Sequence, residues 1–352
     1  MIAEFTDRIQ EACAKKTPLC LQGGGTKRFY GQPPTGTVLS TRNHQGIIDY
    51  DPSELVITAR SGTLLSEINA LLDEQHQMLA FEPPAFGNDA TVGGVVATGL
   101  SGPRRPYVGS VRDFILGTVI MNGQAERLVF GGQVMKNVAG YDVSRLMTGS
   151  MGCLGLLLEV SIKVLPKPRS EITLSFEMSQ AEALAAINGW SGQPLPISAS
   201  SWENQRLVLR LSGSEAATRD ARIRLGGEPM NADLALLHWT ELREQTHPFF
   251  KVDQKYWRLS LPSTTGVVDL GGSQLIEWGG AQRWLSNPAC STDQLRGTVA
   301  ALGGHATLFK GGDGTDAIFH PLPDALMTVH KRLKSAFDPA GIFNPGRLYP
   351  EL

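Results

Sequence analysis

Three glycine-rich segments crowd the first half of the chain: GGGT at 23–26, TVGGVVATGLSG at 91–102 and TGSMGCLG at 148–155. The last closes a longer stretch, GGQVMKNVAGYDVSRLMTGSMGCLG at 131–155, too broken by glycine for one helix or strand. Glycine has no Cβ, so consecutive backbone N–H groups can turn toward an anion and form a positively polarised concavity. A diphosphate is the natural guest. One such loop alone reads as a tight turn; three in one half of a chain point to a cofactor that runs past all of them.

Two common phosphate loops do not fit. A P-loop needs Gly-Lys-Ser/Thr opening a helix, but Lys27 is followed by Arg28, Phe29, Tyr30 and Gly31, then by Pro33 and Pro34. A dinucleotide fingerprint needs GxGxxG between strand and helix and an acidic residue about 20 positions later, and none of the three segments meets both conditions. Cys13, Cys20, Cys153 and Cys290 lie far apart without a CxxC pair, so no zinc or iron–sulfur site can be built locally. Reduced thiols in a cytosolic protein follow, and Cys153 reads as a small packing residue. No nucleophile elbow or paired acidic motif suggests hydrolysis. With 32 basic and 34 acidic residues, the chain carries no charge excess that would draw nucleic acid.

The elements that must position these loops follow from periodicity. The spacing of Ile2, Phe5, Ile9 and Cys13 predicts a helix, and PLCLQ predicts a short buried strand running into Gly23. LVITARSGT at 55–63 predicts a strand, followed by a helix with Leu64, Ile68, Leu71 and Leu72 inward and Thr63 as N-cap. FILGTVIMNGQAERLVFGG predicts a hairpin with a type I′ turn at Asn122-Gly123. From 156 to 164, alternation of Leu156, Leu158, Val160, Ile162 and Val164 with Glu159, Ser161 and Lys163 predicts a half-buried strand. PKPRS at 166–170 is the linker candidate. Beyond it, strand and helix patterns from EITLSFEM to STDQLRGTVAAL suit an α+β sheet with helices on one face, and LPDALMTVHKRLKSAF predicts a last helix. Arg104 and Arg105 read as a loop pair facing solvent, a phosphate or a partner subunit.

The ordered motifs GGGT, ATVGG, SGPRRPYVGSVRDFILG and GSMGCLGLLLEVSIKVLP resemble the flavin-binding domain of the vanillyl-alcohol oxidase and p-cresol methylhydroxylase superfamily. The likeness spans about the first half and returns in FDPAGIFNPGRL, a closing motif of hydroxyacid-oxidising members. It implies an α+β fold: a two-part PCMH-type FAD-binding domain at 1–168, an α+β cap (substrate or partner) domain at 171–320, and a C-terminal helix and tail at 321–352 returning to the FAD domain. Carried over, Gly23, Gly24, Gly25, Thr26 and Lys27 would hold the diphosphate. Thr91, Gly93, Gly94, Ser101 and Gly102 would line the FAD path, with Gly149, Ser150, Gly152 and Gly155 near the cofactor and Val160 at the adenine end. Covalent members place histidine near the first glycine loop; here the nearest is His44, so the expectation is non-covalent FAD.

Metal-assisted members carry an HAGDGN..H-type segment, whereas this chain has HATLFKGGDGTDAIFH, with His305 and His320 far apart and Thr315 after Gly314. No metal is expected, and Gly311, Gly312 and Gly314 read as a turn. Oxidising a 2-hydroxy acid needs a base for the hydroxyl proton and a cation for the carboxylate. Arg243, His247 and Arg258 have suitable chemistry, but they also read as a solvated helix face and a strand with snorkelling Arg. The resemblance implies one flavin subunit of a multisubunit glycolate-oxidising enzyme, partnered by a larger FAD-binding subunit and an iron–sulfur subunit. A self-sufficient FAD-dependent 2-hydroxyacid dehydrogenase and a non-catalytic scaffold are the alternatives. The N-terminus MIAEFTDRIQEACAKK is unlike a signal peptide, and no run reaches about 18 apolar residues. The expected location is cytoplasmic, reaching the inner membrane only through partner subunits.

Overall fold

Helix α1, Ile2–Lys15, forms because Phe5, Ile9 and Ala12 recur on one face and are all buried. In this computed structural model, which describes residues 1–132, 140–251, 254–312 and 316–352, α1 covers β1 (Leu19–Gln22) and β2 (Thr37–Ser40), a parallel pair. Full burial of Phe5 or Ile9 is worth about 1.5–3 kcal/mol each. The chain continues through β3 (Ile47–Asp51), β4 (Val56–Arg60), α2 (Leu65–Glu74), β5 (Gln77–Met78), α3 (Val92–Thr98), α4 (Arg105–Val108) and α5 (Val111–Phe114). Then come β6 (Ile115–Met121), β7 (Arg127–Gly131), α6 (Val143–Leu146), β8 (Leu156–Lys163) and β9 (Leu165–Pro166). Five of these strands make an antiparallel sheet in the order β3-β4-β8-β6-β7.

The remaining elements are β10 (Ser170–Glu177), α7 (Gln180–Ser191), β11 (Ile197–Glu203), β12 (Arg206–Gly213), α8 (Glu215–Leu225), β13 (Glu228–Pro229) and α9 (Ala232–Glu244). After them run β14 (Tyr256–Ser260), β15 (Ser273–Glu277), β16 (Gln282–Ser286), α10 (Thr292–Ala301), β17 (His305–Lys310) and α11 (Asp324–Phe337). The chain divides into two units: residues 1–101, 109–166 and 321–352 form the first, and 102–108 and 167–320 the second. The C-terminal helix and tail thus belong to the unit that holds the glycine loops. The second unit is built on an eight-stranded antiparallel sheet, β13-β10-β12-β11-β15-β16-β14-β17. No helix among the described residues is long and apolar enough to cross a membrane.

Several local expectations need correction. Thr63 does not cap α2; its hydroxyl accepts from Gly46 N–H at 2.8 Å, and Leu64 stands at the N-cap without a side-chain bond. The β6–β7 hairpin is present, but its loop spans 122–126, not a two-residue type I′ turn. Asn122 Oδ1 accepts from the amides of Gln124 and Glu126, and Ala125 takes the positive φ of 62°. The side chain of Asn122 offers the backbone an alternative turn, and Gly123 N–H donates to Phe337 O at 2.8 Å in the C-terminal segment. β8 is not half-buried: lying between β4 and β6, it also buries Leu157 and Ser161, so both faces are covered. Nor do the helices keep to one face of the second sheet. Ala183 and Ile187 of α7, Ala221 of α8, and Leu295 and Val299 of α10 pack on one side against Trp202, Leu174 and Leu259. α9 takes the other: Trp239 Nε1 donates to Thr173 Oγ1 at 3.0 Å, and His238 Nε2 is 2.9 Å from Ser201 Oγ. Thr173 and Ser201 adjoin Leu174 and Trp202, and alternation turns them to the opposite face.

Candidate cofactor site

β1 delivers its chain into the first glycine turn, and a cavity opens there within the first unit. Its walls comprise Cys20–Arg28 with Pro34, then Thr41 and Ser61, then Thr91, Gly93, Gly94, Ala97 and Thr98 around α3. Met151, Gly152 and Gly155–Leu157 enter from the last glycine turn and β8, and Asn344 and Arg347 from the C-terminal tail. The three glycine segments, spread over more than a hundred positions in the sequence, therefore meet around one space.

The glycines serve close approach. A Cβ on Gly24 would stand 1.5 Å from the carbonyl oxygen of Asp89, and one on Gly23 would stand 2.3 Å from Thr91 Oγ1. A Cβ on Gly93 would meet Ser61 at 2.7 Å. The first loop is thus pressed onto the segment that leads into α3, which keeps the loop thin where it borders the cavity. No protein acceptor among the described residues takes the amides of Gly23, Gly24 or Gly25. By contrast, the first turn of α3 is already satisfied: Gly93 N–H donates to Ser61 O at 2.8 Å and Gly94 N–H to Thr91 Oγ1 at 3.3 Å. Two buried polar atoms of the wall, Gln22 Oε1 and Ser61 Oγ, have no partner among the described residues, a costly state unless a ligand meets them.

The wall is cationic. Lys27, Arg28 and Arg347 line it, and no acidic side chain does among the described residues. Lys27 is buried and its ammonium also donates to Ala85 O at 3.1 Å, so it ties the glycine turn to the segment facing it. Thr26 Oγ1 donates to the same carbonyl at 2.7 Å. Arg347 is buried and donates to the carbonyls of Arg28, Tyr30 and Gln32, holding the loop after the glycine turn. Burial lowers its pKa from the ordinary arginine value. Cys153 lies behind the wall, its thiol pushed up to about 11 by burial, which suits the packing role.

The other expected FAD residues have different placements. Gly149, with φ 81°, donates its N–H to Val96 O at 3.0 Å; Ser150 is buried beside it. Ser101 Oγ accepts from Val111 N–H at 3.1 Å. Val160 is wholly buried in β8, paired with Ala59 and Thr118. Gly102 belongs to the second unit, where its carbonyl accepts from Trp278 Nε1 at 3.1 Å. Arg104 corrects the reading of an exposed pair: it is buried and ion-paired with Glu171, while Arg105 lies 4.4 Å above the Trp278 ring. Residues 133–139 of the 131–155 stretch, and Gly314 and Thr315, lie outside the described residues.

Arg243, His247 and Arg258 all lie in the second unit and do not converge on one point. Arg243 Nε pairs with Glu244 at 2.8 Å. His247 Nδ1 accepts from Phe249 N–H at 3.3 Å and sits 3.7 Å from Glu203, and burial lowers its pKa. Arg258 lies on β14 over the Phe309 ring at 5.3 Å. Sequence reasoning missed Gln22, Ser61, Asn344 and Arg347. The FNPGRL motif was a signal for the last two, but nothing local in it says which residues they touch.

An FAD binding domain model matches residues 2–146, and a model of the C-terminal domain of FAD linked oxidases matches residues 320–348. The glycolate oxidase subunit GlcE of Escherichia coli K12 is 51% identical, over 98% of this chain and 97% of its own. The glycolate oxidase subunit GlcD of Bacillus subtilis 168 is 29% identical, over 47% of this chain and 36% of its own. Among solved structures, alkyldihydroxyacetonephosphate synthase aligns with a TM-score of 0.66 at 14% identity, covering 97% of this chain and 75% of that one. That last likeness is one of fold.

Proposed function

Because the chain belongs to the family of the glycolate oxidase subunit GlcE, among the FAD linked oxidases, we propose that it is the FAD-binding subunit of a multisubunit glycolate oxidase. The observation that carries this reading is the cavity wall: three basic side chains, no acidic one among the described residues, unpaired glycine amides and two orphaned polar atoms. Such a wall suits a ligand with a diphosphate, whose two negative charges meet N–H dipoles and cations in a partly dry space.

In this reading Gly23, Gly24, Gly25, Thr26 and Lys27 hold the diphosphate, and Thr91, Gly93, Gly94, Gly152 and Gly155 form the wall along which the cofactor runs. Ser101, Gly102, Gly149, Ser150 and Val160 lie outside that wall. No histidine lines the cavity among the described residues, in keeping with dissociable FAD. FAD held there would supply the two-electron oxidant for a 2-hydroxy acid such as glycolate, and that oxidation also needs a base for the hydroxyl proton. Of the groups with suitable chemistry, Arg243, His247 and Arg258 stand apart from one another in the second unit, and burial lowers the His247 pKa. The four cysteines are scattered from 13 to 290, so the electrons leave through partners: a larger FAD-binding subunit and an iron–sulfur subunit. The complex is cytoplasmic and reaches the inner membrane through those partners.

The test is an anaerobic absorbance spectrum of the chain purified alone, before and after glycolate, with flavin content determined after acid release. Stoichiometric, releasable FAD that stays oxidised until partner subunits are added is the expected result. Bleaching of the isolated chain would make it a self-sufficient dehydrogenase. A folded chain that neither retains nor takes up FAD would overturn the reading.

A further inference from the structure

The tail residue Asn344 makes three contacts that no local rule explains. Its N–H donates to Leu19 O at 2.9 Å, extending the β1 ladder. Its Oδ1 accepts from Leu21 N–H at 2.8 Å, one residue before the cavity-lining Gln22. Its Nδ2 donates to Met151 O at 2.6 Å, inside the last glycine turn. The residue is 4% exposed, lines the cavity, and holds a left-handed φ of 41°. A Cβ on the neighbouring Gly152 would stand 2.7 Å from the same Nδ2.

We propose that Asn344 is a positioning residue of the flavin site: its carboxamide bridges β1, which delivers the 23–26 turn, to the 149–152 turn, and fixes the spacing of the two loops across the cavity. The proposal rests on the flavin reading above. The chemistry is specific to a primary amide, because one end must accept a backbone N–H while the other donates to a backbone carbonyl. Asparagine is also one of the few non-glycine residues that occupy the left-handed region readily. The support behind it is equally built. Lys334 Nζ donates to Cys153 O at 2.9 Å and Phe343 O at 2.6 Å, and it pairs with Asp338 at 2.7 Å. Asp338 in turn accepts the amides of Ile342 and Phe343. The tail therefore arrives at the cavity in a fixed register, and Asn344 converts that register into loop spacing.

The experiment titrates the full chain, stripped of flavin by acid, with FAD followed by flavin fluorescence, and measures each variant's melting temperature without FAD. Asn344→Asp keeps the acceptor and the backbone conformation but sets a carboxylate oxygen against Met151 O. Asn344→Ala removes both bonds. Phe5→Ala, a core change at a residue that does not line the cavity, calibrates how far affinity falls with stability alone. We expect Asn344→Asp to raise the FAD Kd by at least about tenfold, more than a Phe5→Ala chain of equal or lower melting temperature. Equal affinity losses at equal melting temperature, or an unchanged Kd in Asn344→Ala, would overturn the proposal and leave the flavin reading standing. Failure of the wild-type chain to take up FAD overturns the flavin reading itself.

Discussion

The cavity wall of the first unit and the buried Glu277 and Arg283 networks of the second treat polar groups in opposite ways. In the first, the cavity wall leaves glycine amides and the buried atoms Gln22 Oε1 and Ser61 Oγ without protein partners among the described residues, with cations around them. In the second, two buried networks are closed by protein partners. Glu277 accepts from Trp284 Nε1 at 2.6 Å and Gln282 Nε2 at 3.1 Å, and the fully buried Arg283 donates to the carbonyls of Gly280, Thr265 and Gly266. Unsatisfied polar atoms in a folded interior cost free energy. The two that line the cavity, Gln22 Oε1 and Ser61 Oγ, mark a place a ligand can finish, whereas the Glu277 and Arg283 networks serve the second unit's own architecture.

The sharpest way to break the contrast is Gly24→Val. The new side chain meets Asp89 O, which should cost the first unit about 3 kcal/mol and yield a chain without flavin. Calorimetry would show the transition of the first unit moving down while that of the second stays in place. A smaller effect comes from pH and falls on the second unit. Burial lowers the His238 pKa to about 4. The unfolded chain protonates it near the ordinary value of about 6.5, so between these two values the unfolded state binds more protons. Through His238 alone, stability should fall as pH drops from about 6.5 to about 4, by at most about 3 kcal/mol. Chemical denaturation across that range checks it; His238→Gln should reduce the slope, the rest belonging to the other histidines whose pKa burial lowers.

Glu277→Ala comes next. Stranding the Trp284 N–H and the Gln282 amide should cost about 2 kcal/mol in a urea melt, with FAD affinity of the full chain within about twofold of wild type by titration. Loss of FAD in this variant would erase the distinction between the units. Lys27→Met should weaken FAD by about tenfold, ~1.4 kcal/mol, and flatten the salt dependence of binding. Unchanged affinity would mean that the ammonium serves only Ala85 O.

Much of the fold was legible because its signals are local. The inward spacing of Phe5 and Ile9, the strand runs before Gly23 and after Gly155, and the capped helices of the second unit follow from periodicity and end signals over a few residues. The capping box of α7, where Ser179 and Glu182 bond reciprocally, is of this kind. The misreadings arose where a distant segment intervened. The turn at Asn122-Gly123 is an example: Gly123 N–H donates to Phe337 O at 2.8 Å, and a Cβ there would meet Asp338 at 2.5 Å. The dipeptide is occupied by the C-terminal tail, a fact no window around 122 contains. α9 was misplaced for a related reason: helical spacing marks an apolar stripe without saying which face of a sheet it covers.

By itself, then, the sequence determined the elements, the three glycine loops and the family they resemble, because backbone freedom and side-chain periodicity are properties of neighbouring residues. Tertiary structure alone decided which groups meet: Gly24 against Asp89, Ser61 against Gly93, and the amide of Asn344 between Leu21 and Met151. Those pairings depend on how hydrophobic burial folds distant segments together, and burial is nearly indifferent to order along the chain. That is why the glycine loops could be named from the sequence, while the residues that set their spacing could not.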